Sequence, residues 1–419
     1  MTRALTVTDA RIAGEAVGLR AVDGLITAVG AGVTPEPGDD LVDAAGGLLL
    51  PGMVNGHTHA AMTLFRGWGD DLPLMEWLET RVWPAEARLT ADDVYWGTRL
   101  AIVEMLRTGT VRFWDMYWHG DAVARAVADA GIRAVVSSVI IDGGDSARGV
   151  ALRPEVLDQL DAIAAFAPLV APSLGPHAVY TVTPGTLTWI GEVSRERRIG
   201  VQIHCSETEE EVLRCVAEHG VRPVELLDRC GLLGPGTVLA HCVWLDAGEL
   251  DLVAERGAVI VTNPVSNMKL AVGVVFDYAS ARVRGIPVGL GTDGAASNNS
   301  LDLLADAKFL SLLQKHEHRD PAAMPASEAW AVATGARAPA LGQPDALGVG
   351  APADFVVVPA DRPELGPGDL VHNLVYAAAG SVVDTVVVDG RVVARGGVVA
   401  DAAEIRTRAF ACAARLGVA

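Results

Sequence analysis

Apolar residues along this chain follow two rhythms. In the first fifty positions they form short β-rich runs at 5–7, 16–22, 25–29 and 47–50, broken by Gly, Asp and Pro. The same pattern returns at 354–358, 385–388 and 391–394, where Asp389-Gly390 between two runs predicts a tight hairpin. The middle alternates instead. Strands are predicted at 54–59, 110–116, 133–140, 168–174, 200–204, 237–241, 258–262 and 287–291. Helical stretches separate them at about 92–107, 121–130, 184–197, 221–229, 247–256 and 300–315. Thr90 is placed to cap the first of these helices and Gly109 to stop it. Eight β/α units predict an α/β fold, a closed (β/α)8 barrel, with a doubly wound open sheet as the alternative. The flanking runs predict one small β-sandwich built from both termini. The expected division is 1–50 and 346–419 for the sandwich and tail, and 51–345 for the barrel. No internal repeat is visible.

Composition narrows the partners. A chain of 419 residues, half of them hydrophobic, can fill one large core and a small second one. A formal net charge of −19 repels nucleic acid and anionic membranes, and favours neutral over highly charged small substrates. Apolar runs are short and interrupted, so no membrane span is expected. Five scattered cysteines read as reduced thiols, and the start carries no apolar run of the secretory kind. Together these predict a cytoplasmic protein acting on a small molecule. A homo-oligomer is the expected assembly.

Barrel enzymes carry their chemistry at the C-terminal strand ends. Five of the ten histidines fall there: His57, His59, His177, His204 and His241. His57 and His59 are two apart on a strand and share a face. With His204 and Asp293 from two further strand ends they offer three nitrogens and one carboxylate oxygen. That donor set suits one divalent transition metal per chain, zinc first and iron second. A surface or core role is the ordinary fate of a lone His-x-His pair, but here three further polar strand ends converge with it. The only lysines are Lys269, Lys308 and Lys315, so the first six strands cannot supply a carbamylated lysine to bridge two metals. A carboxylate or thiolate bridge stays open. Glu207, just past His204, is placed to carry protons; the alternative is an ordinary acidic helix start, since Thr208-Glu209-Glu210-Glu211 follows. His241 could polarise water or hold an oxyanion, or else be a fourth metal-bound imidazole or a core histidine. Cys205 and Cys242 alternate away from the axis and read as packing, as by default do the tryptophans, although Trp68, Trp77, Trp83, Trp114 and Trp118, near the first two strand ends, could line a pocket or an interface.

These segments carry a resemblance. Pro51-Gly52-Met53-Val54-Asn55-Gly56-His57-Thr58-His59 resembles the entry motif of the amidohydrolase superfamily. Ala60-Ala61-Met62-Thr63-Leu64-Phe65-Arg66-Gly67, Ile203-His204-Cys205-Ser206-Glu207-Thr208 and Ala240-His241-Cys242 resemble its triazine-hydrolase and nucleoside-deaminase branch. The stretch from Gly289-Leu290-Gly291-Thr292-Asp293-Gly294 to Ala295-Ala296-Ser297-Asn298-Asn299-Ser300 is similar to methylthioadenosine/S-adenosylhomocysteine deaminases. The resemblance spans essentially the whole chain. It implies His57, His59, His204 and Asp293 as ligands of one metal, Glu207 as proton shuttle, and His241 against the water or oxyanion. Through Trp83-Pro84-Ala85-Glu86 it implies Glu86 on ribose hydroxyls, and through Gly175-Pro176-His177 it implies His177 on the substrate. Arg148 is its candidate for a charged substrate tail. The loop from Ser266-Asn267-Met268-Lys269 to Val274-Val275-Phe276-Asp277-Tyr278 departs from the usual pattern, at a place where it could meet the distal end of the substrate.

The implied reaction is hydrolytic deamination of an adenosine-like nucleoside: Glu207 delivers a proton to N1, water adds at C6, and Asp293, through a free second oxygen, hands a proton to the leaving ammonia. The rivals are a guanine, pterin or triazine amino- or chlorohydrolase on the same core, and a non-catalytic barrel scaffold. A scaffold would be expected to have lost ligands, whereas every expected polar group is present.

Overall fold

The computed structural model describes residues 3–342 and 347–418. The expected boundary at 345/346 lies outside the described residues. Eight parallel strands follow one another around the central sheet: Met53–Thr58, Thr110–Asp115, Arg133–Ile140, Val170–Pro176, Gly200–Cys205, Thr237–His241, Val259–Thr262 and Val288–Leu290. Each pairs with its sequence neighbour. The first and eighth meet through fewer bonds. Asp293 N donates to His57 O at 3.1 Å, and the Asn55 amide exchanges bonds of 2.7 and 3.1 Å with Thr292 Oγ1 and N. Gly291 permits this approach, since a Cβ there would stand 2.8 Å from His57 O. The barrel is therefore nearly closed, and the open doubly wound alternative is excluded.

Both ends of the chain build the second sheet, which has nine strands. Phe355–Val358 lies antiparallel to Leu48–Pro51, joining the C-terminal part to the N-terminal part. Asp389 and Gly390 both have positive φ, as the predicted hairpin requires, and Val388 pairs with Arg391 across it. The sheet has a core of its own around Leu5, Val7, Leu19, Ile26, Leu49, Phe355 and Val387. Arg133, at the base of the barrel, reaches into this sheet: Nε donates to Asp354 at 2.7 Å and Nη2 to Asp389 at 2.9 Å.

Helices cover the barrel. Ala91–Arg107 begins at a capping box formed by Thr90 and Asp93, as its sequence predicts. Ser146–Ala164 and Glu209–His219 are helices that the hydrophobic rhythm did not single out. The first contains Pro154 and the second a run of three glutamates at its start, which blurs the period. The C-terminal Ala402–Leu416 packs against Ala91–Arg107 and was likewise unexpected. Among the described residues, no helix is long and apolar enough to cross a membrane.

Candidate active site

The polar strand ends gather at one mouth of the barrel. Met53–Thr58 and Thr237–His241 are buried along their length and Gly200–Cys205 in all but its first residue, so their terminal side chains are aimed by a rigid backbone. Four imidazoles share a device. His57 Nδ1 bonds Gln202 Oε1 at 2.7 Å, His59 Nδ1 bonds Met116 O at 2.5 Å, His204 Nδ1 bonds His177 O at 2.8 Å, and His241 Nδ1 bonds Asn267 Oδ1 at 2.8 Å. All four partners are carbonyl oxygens, so each Nδ1 is the N–H donor and each Nε2 is left for the interior. Side-chain donor atoms of His57, His204, His241 and Asp293 all lie within 4.8 Å of one another. His59 Nε2 stands 3.1 Å from Asp293 Oδ1 and 3.3 Å from His204 Nε2, completing the ring of groups.

This arrangement fits a cation. His57 Nε2 is buried with no hydrogen-bond partner, 3.5 Å from Asp293 Oδ1. Burial pushes His57 down to about 4, so a proton does not meet that need. His59 is buried too, but the bond and charge of Asp293 outweigh that and raise it to about 9. Its proton sits where a divalent ion would compete. Three imidazole nitrogens with one carboxylate is a donor set for a borderline transition metal. The donors that lie together are His57, His204, His241 and Asp293, so His241, expected against the substrate, stands among the groups that could hold zinc or iron, while the expected ligand His59 lies beside them against Asp293 and His204.

Asp293 differs from expectation in one respect. Its second oxygen is not free: Oδ2 accepts from Ser266 Oγ at 2.6 Å and Ser297 Oγ at 2.8 Å. These bonds fix the carboxylate so that Oδ1 faces the imidazoles. Asp293 also has φ +60°, and His241 and Cys242 have φ +70° and +54°. Non-glycine residues in this region persist only where the surroundings hold them, as at sites of function.

Above the histidines lies a cavity at the mouth of the barrel. Glu207, His241, Asp293, His177 and Glu86 all line it. Glu207 is buried, with Oε1 3.8 Å from His241 Nδ1, and burial, aided by the charge of Asp293, pushes it up to about 8. Glu86 lies at another part of the wall and accepts a bond of 3.1 Å from Trp118 Nε1. Burial raises it also. His177 stacks edge-on to His204, 4.8 Å between centroids, and its Nδ1 meets Thr181 Oγ1 at 3.0 Å.

Arg148 does not join them. Asp145 caps the helix Ser146–Ala164 through the N–H groups of Ala147 and Arg148, and this leaves Arg148 exposed on its first turn, outside the cavity lining. Trp77, Trp83 and Trp118 line the cavity, contrary to the default reading of the tryptophans as packing, whereas Trp114 is buried in the barrel core. The unusual loop is divided. Ser266 and Asn267 hold Asp293 and His241, and Leu270 lines the cavity. Val274, Val275 and Phe276 line a separate recess with Leu310 and Gln314. Gln202, Asn267, Ser266 and Ser297 were not picked out from sequence. Gln202 left a signal there, two before His204 on the same face of its strand, and Ser266, Asn267 and Ser297 stood within the motif stretches without a role assigned to them.

Residues 48–393 match the amidohydrolase family. The chain belongs to that family. As an amidohydrolase it is 47% identical over 383 residues to the 5'-deoxyadenosine deaminase of Methanoregula boonei, covering 90% of this chain and 86% of that one. It is 42% identical over 368 residues to 5-methylthioadenosine/S-adenosylhomocysteine deaminase 1 of Archaeoglobus fulgidus, covering 86% and 85%. The crystal structure of an adenosine deaminase from Xanthomonas campestris with bound zinc superposes with a TM-score of 0.90 at 32% identity, covering 99% of this amidohydrolase and 98% of that chain.

Proposed function

We propose that this amidohydrolase is a metal-dependent deaminase of adenosine-like nucleosides, releasing ammonia and leaving the inosine-type product. The observation that carries it is the convergence of four inward Nε2 atoms and Asp293 beside the buried Glu207 carboxyl on the floor of one cavity. Its similarity to deaminases of adenosine, 5'-deoxyadenosine and methylthioadenosine supports the same reading. One divalent ion, zinc first and iron second, would supply Lewis acidity and ionise water near neutral pH. The residues of the chain do the rest. Glu207 takes the proton of the attacking water and delivers it to N1 of the ring, which makes C6 electrophilic. His241 holds the oxygen that becomes negative at C6. Asp293, with Oδ2 held by Ser266 and Ser297, has only Oδ1 with which to pass the water's second proton to the leaving nitrogen. Glu86 accepts from the two ribose hydroxyls, and His177 contacts the substrate beside His204.

The walls bear on the substrate's 5' end. Among the described residues, no lysine or arginine lines the cavity, while Leu74, Trp77, Leu78, Val82 and Ile141 do. A small apolar 5' group suits such walls, and a 5'-phosphate finds no counter-charge there. The test is ammonia release with 5'-deoxyadenosine, methylthioadenosine, adenosine, AMP, adenine, guanine, pterins and triazines. Turnover of the first three far above adenine and AMP supports the proposal. Activity confined to guanine, pterins or triazines would overturn it.

A further inference from the structure

The reaction above uses Glu207 and leaves a second buried carboxylate beside it without a task. The fifth barrel strand, Gly200–Cys205, runs into a left-handed turn at Ser206, where φ is +49°. The N–H groups of Ser206 and Glu207 do not bond a neighbouring strand. Both go to Glu211: Oε1 accepts from Ser206 N at 2.9 Å and Oε2 from Glu207 N at 2.8 Å. Glu211 is 5% exposed. It is fixed in turn by the helix Glu209–His219, in whose first turn it lies, with its own N–H on Thr208 Oγ1 at 3.2 Å. Among the described residues, no lysine or arginine forms an ion pair with it. Burying a carboxylate is costly without strong bonds, and here its two bonds close the backbone of one turn.

We propose that Glu211 is a positioning residue: its carboxylate clamps the Ser206–Glu207 turn and thereby aims the Glu207 side chain into the cavity. A proton carrier must lie within hydrogen-bond reach of its target, and a displacement near 1 Å costs on the order of 100-fold in rate. A carboxylate accepts both N–H groups, whereas a Gln side chain turns an NH2 toward one of them. The inference rests on Glu207 as the proton carrier of the proposed reaction.

A double-mutant cycle on the full-length, metal-loaded enzyme tests it. The variants are Glu211→Gln, Glu207→Gln and both together, with 5'-deoxyadenosine as substrate and long incubations for the slow variants. Glu211→Gln should lower kcat roughly 10- to 100-fold, with KM and metal content nearly unchanged. In the Glu207→Gln background the same change should have almost no further effect on kcat. Amide exchange at Ser206 and Glu207 should quicken in Glu211→Gln, a readout that needs no turnover. Equal fold-losses in both backgrounds, or an unchanged kcat, sink the proposal. So does loss of metal or of fold together with activity, since Glu211 would then hold the strand end as a whole. If Glu207→Gln alone leaves kcat intact, the assignment of Glu207 falls first; if Glu207→Gln is impaired and the two losses multiply, only the role of Glu211 falls.

Discussion

At the scale of single residues, the site depends on atoms that never touch the substrate. Gln202 Oε1 holds His57 Nδ1, and Asn267 Oδ1 holds His241 Nδ1. Outer partners of this kind fix the ring and its tautomer, and losing one typically weakens metal binding about 10–100-fold. Gln202→Leu should therefore weaken the metal by about that factor in a chelator competition, with the fold retained; unchanged metal affinity would remove His57 from the ligand set. Glu207→Gln should behave oppositely. Metal content should stay at one equivalent by elemental analysis while kcat falls at least ~10²–10⁴-fold, the range of acid–base catalysis. Glu86→Ala should leave turnover of free adenine near its low starting rate and sharply lower that of the nucleoside. The ratio of the two kcat/KM values reads this directly, because only the nucleoside brings hydroxyls to that carboxylate.

At the scale of elements, the site needs neighbouring strand ends and loops locked together. Lys269 Nζ, in the loop after the seventh barrel strand, donates to Asp70 Oδ1 at 2.7 Å and to Ala296 O at 3.0 Å; Asn299 Nδ2 donates to Asp70 Oδ2 at 3.0 Å. One ammonium thus ties loops from the seventh, eighth and first strands. The last of these leads into the segment that supplies Leu74, Trp77, Leu78, Val82, Trp83 and Glu86 to the cavity. Hydrogen bonds to charged groups contribute about 1.5–3 kcal/mol each. Lys269→Met should loosen that segment: KM for the nucleoside should rise roughly tenfold with a smaller change in kcat, and proteolysis near residues 66–73 should quicken. A kcat-only effect would place Lys269 in a different role. Barrel closure depends on Gly291 in the same way. A Cβ there would stand 2.3 Å from Asn263 Oδ1 and 2.8 Å from His57 O. Gly291→Ala should cost about 1–3 kcal/mol in urea denaturation, as overpacking does.

At the scale of the molecule, the terminal sheet buries one face in a core of its own and the other, through Val356, Val358, Val386 and Val388, in the core of the barrel, and charged groups add to that contact. The side chains of Arg133 and Asp354 are 10% and 2% exposed. Removing one member of a buried, hydrogen-bonded pair costs about 3–5 kcal/mol, because the other charge stays buried. Arg133→Met should lower the thermal midpoint clearly while sparing kcat, since the clasp sits at the base of the barrel, opposite the strand ends with the chemistry. Equal losses of stability and kcat would show that the terminal sheet acts on the site. The net charge of −19 is spread over the same molecule.

The sequence by itself determined the architecture and which polar groups gather at the mouth of the barrel. Period-two and helical apolar patterns are local, and eight alternations of them leave little but a barrel. The His-x-His pair, His204, His241 and Asp293 were legible because strand ends in such a barrel must meet. Only the tertiary structure decided which side chains support them. Ser297, four residues from Asp293, is the local exception; Gln202, Asn267 and Ser266 are ordinary polar residues whose partners lie on other elements, and no local pattern encodes a hydrogen bond across the barrel. The same holds for Arg148, which a resemblance placed near the substrate and a capped helix turned to solvent. It holds for the tryptophans too: Trp77 and Trp83 reach the cavity on the segment after the first strand and Trp118 just past the end of the second, whereas Trp114, on that second strand, faces the core.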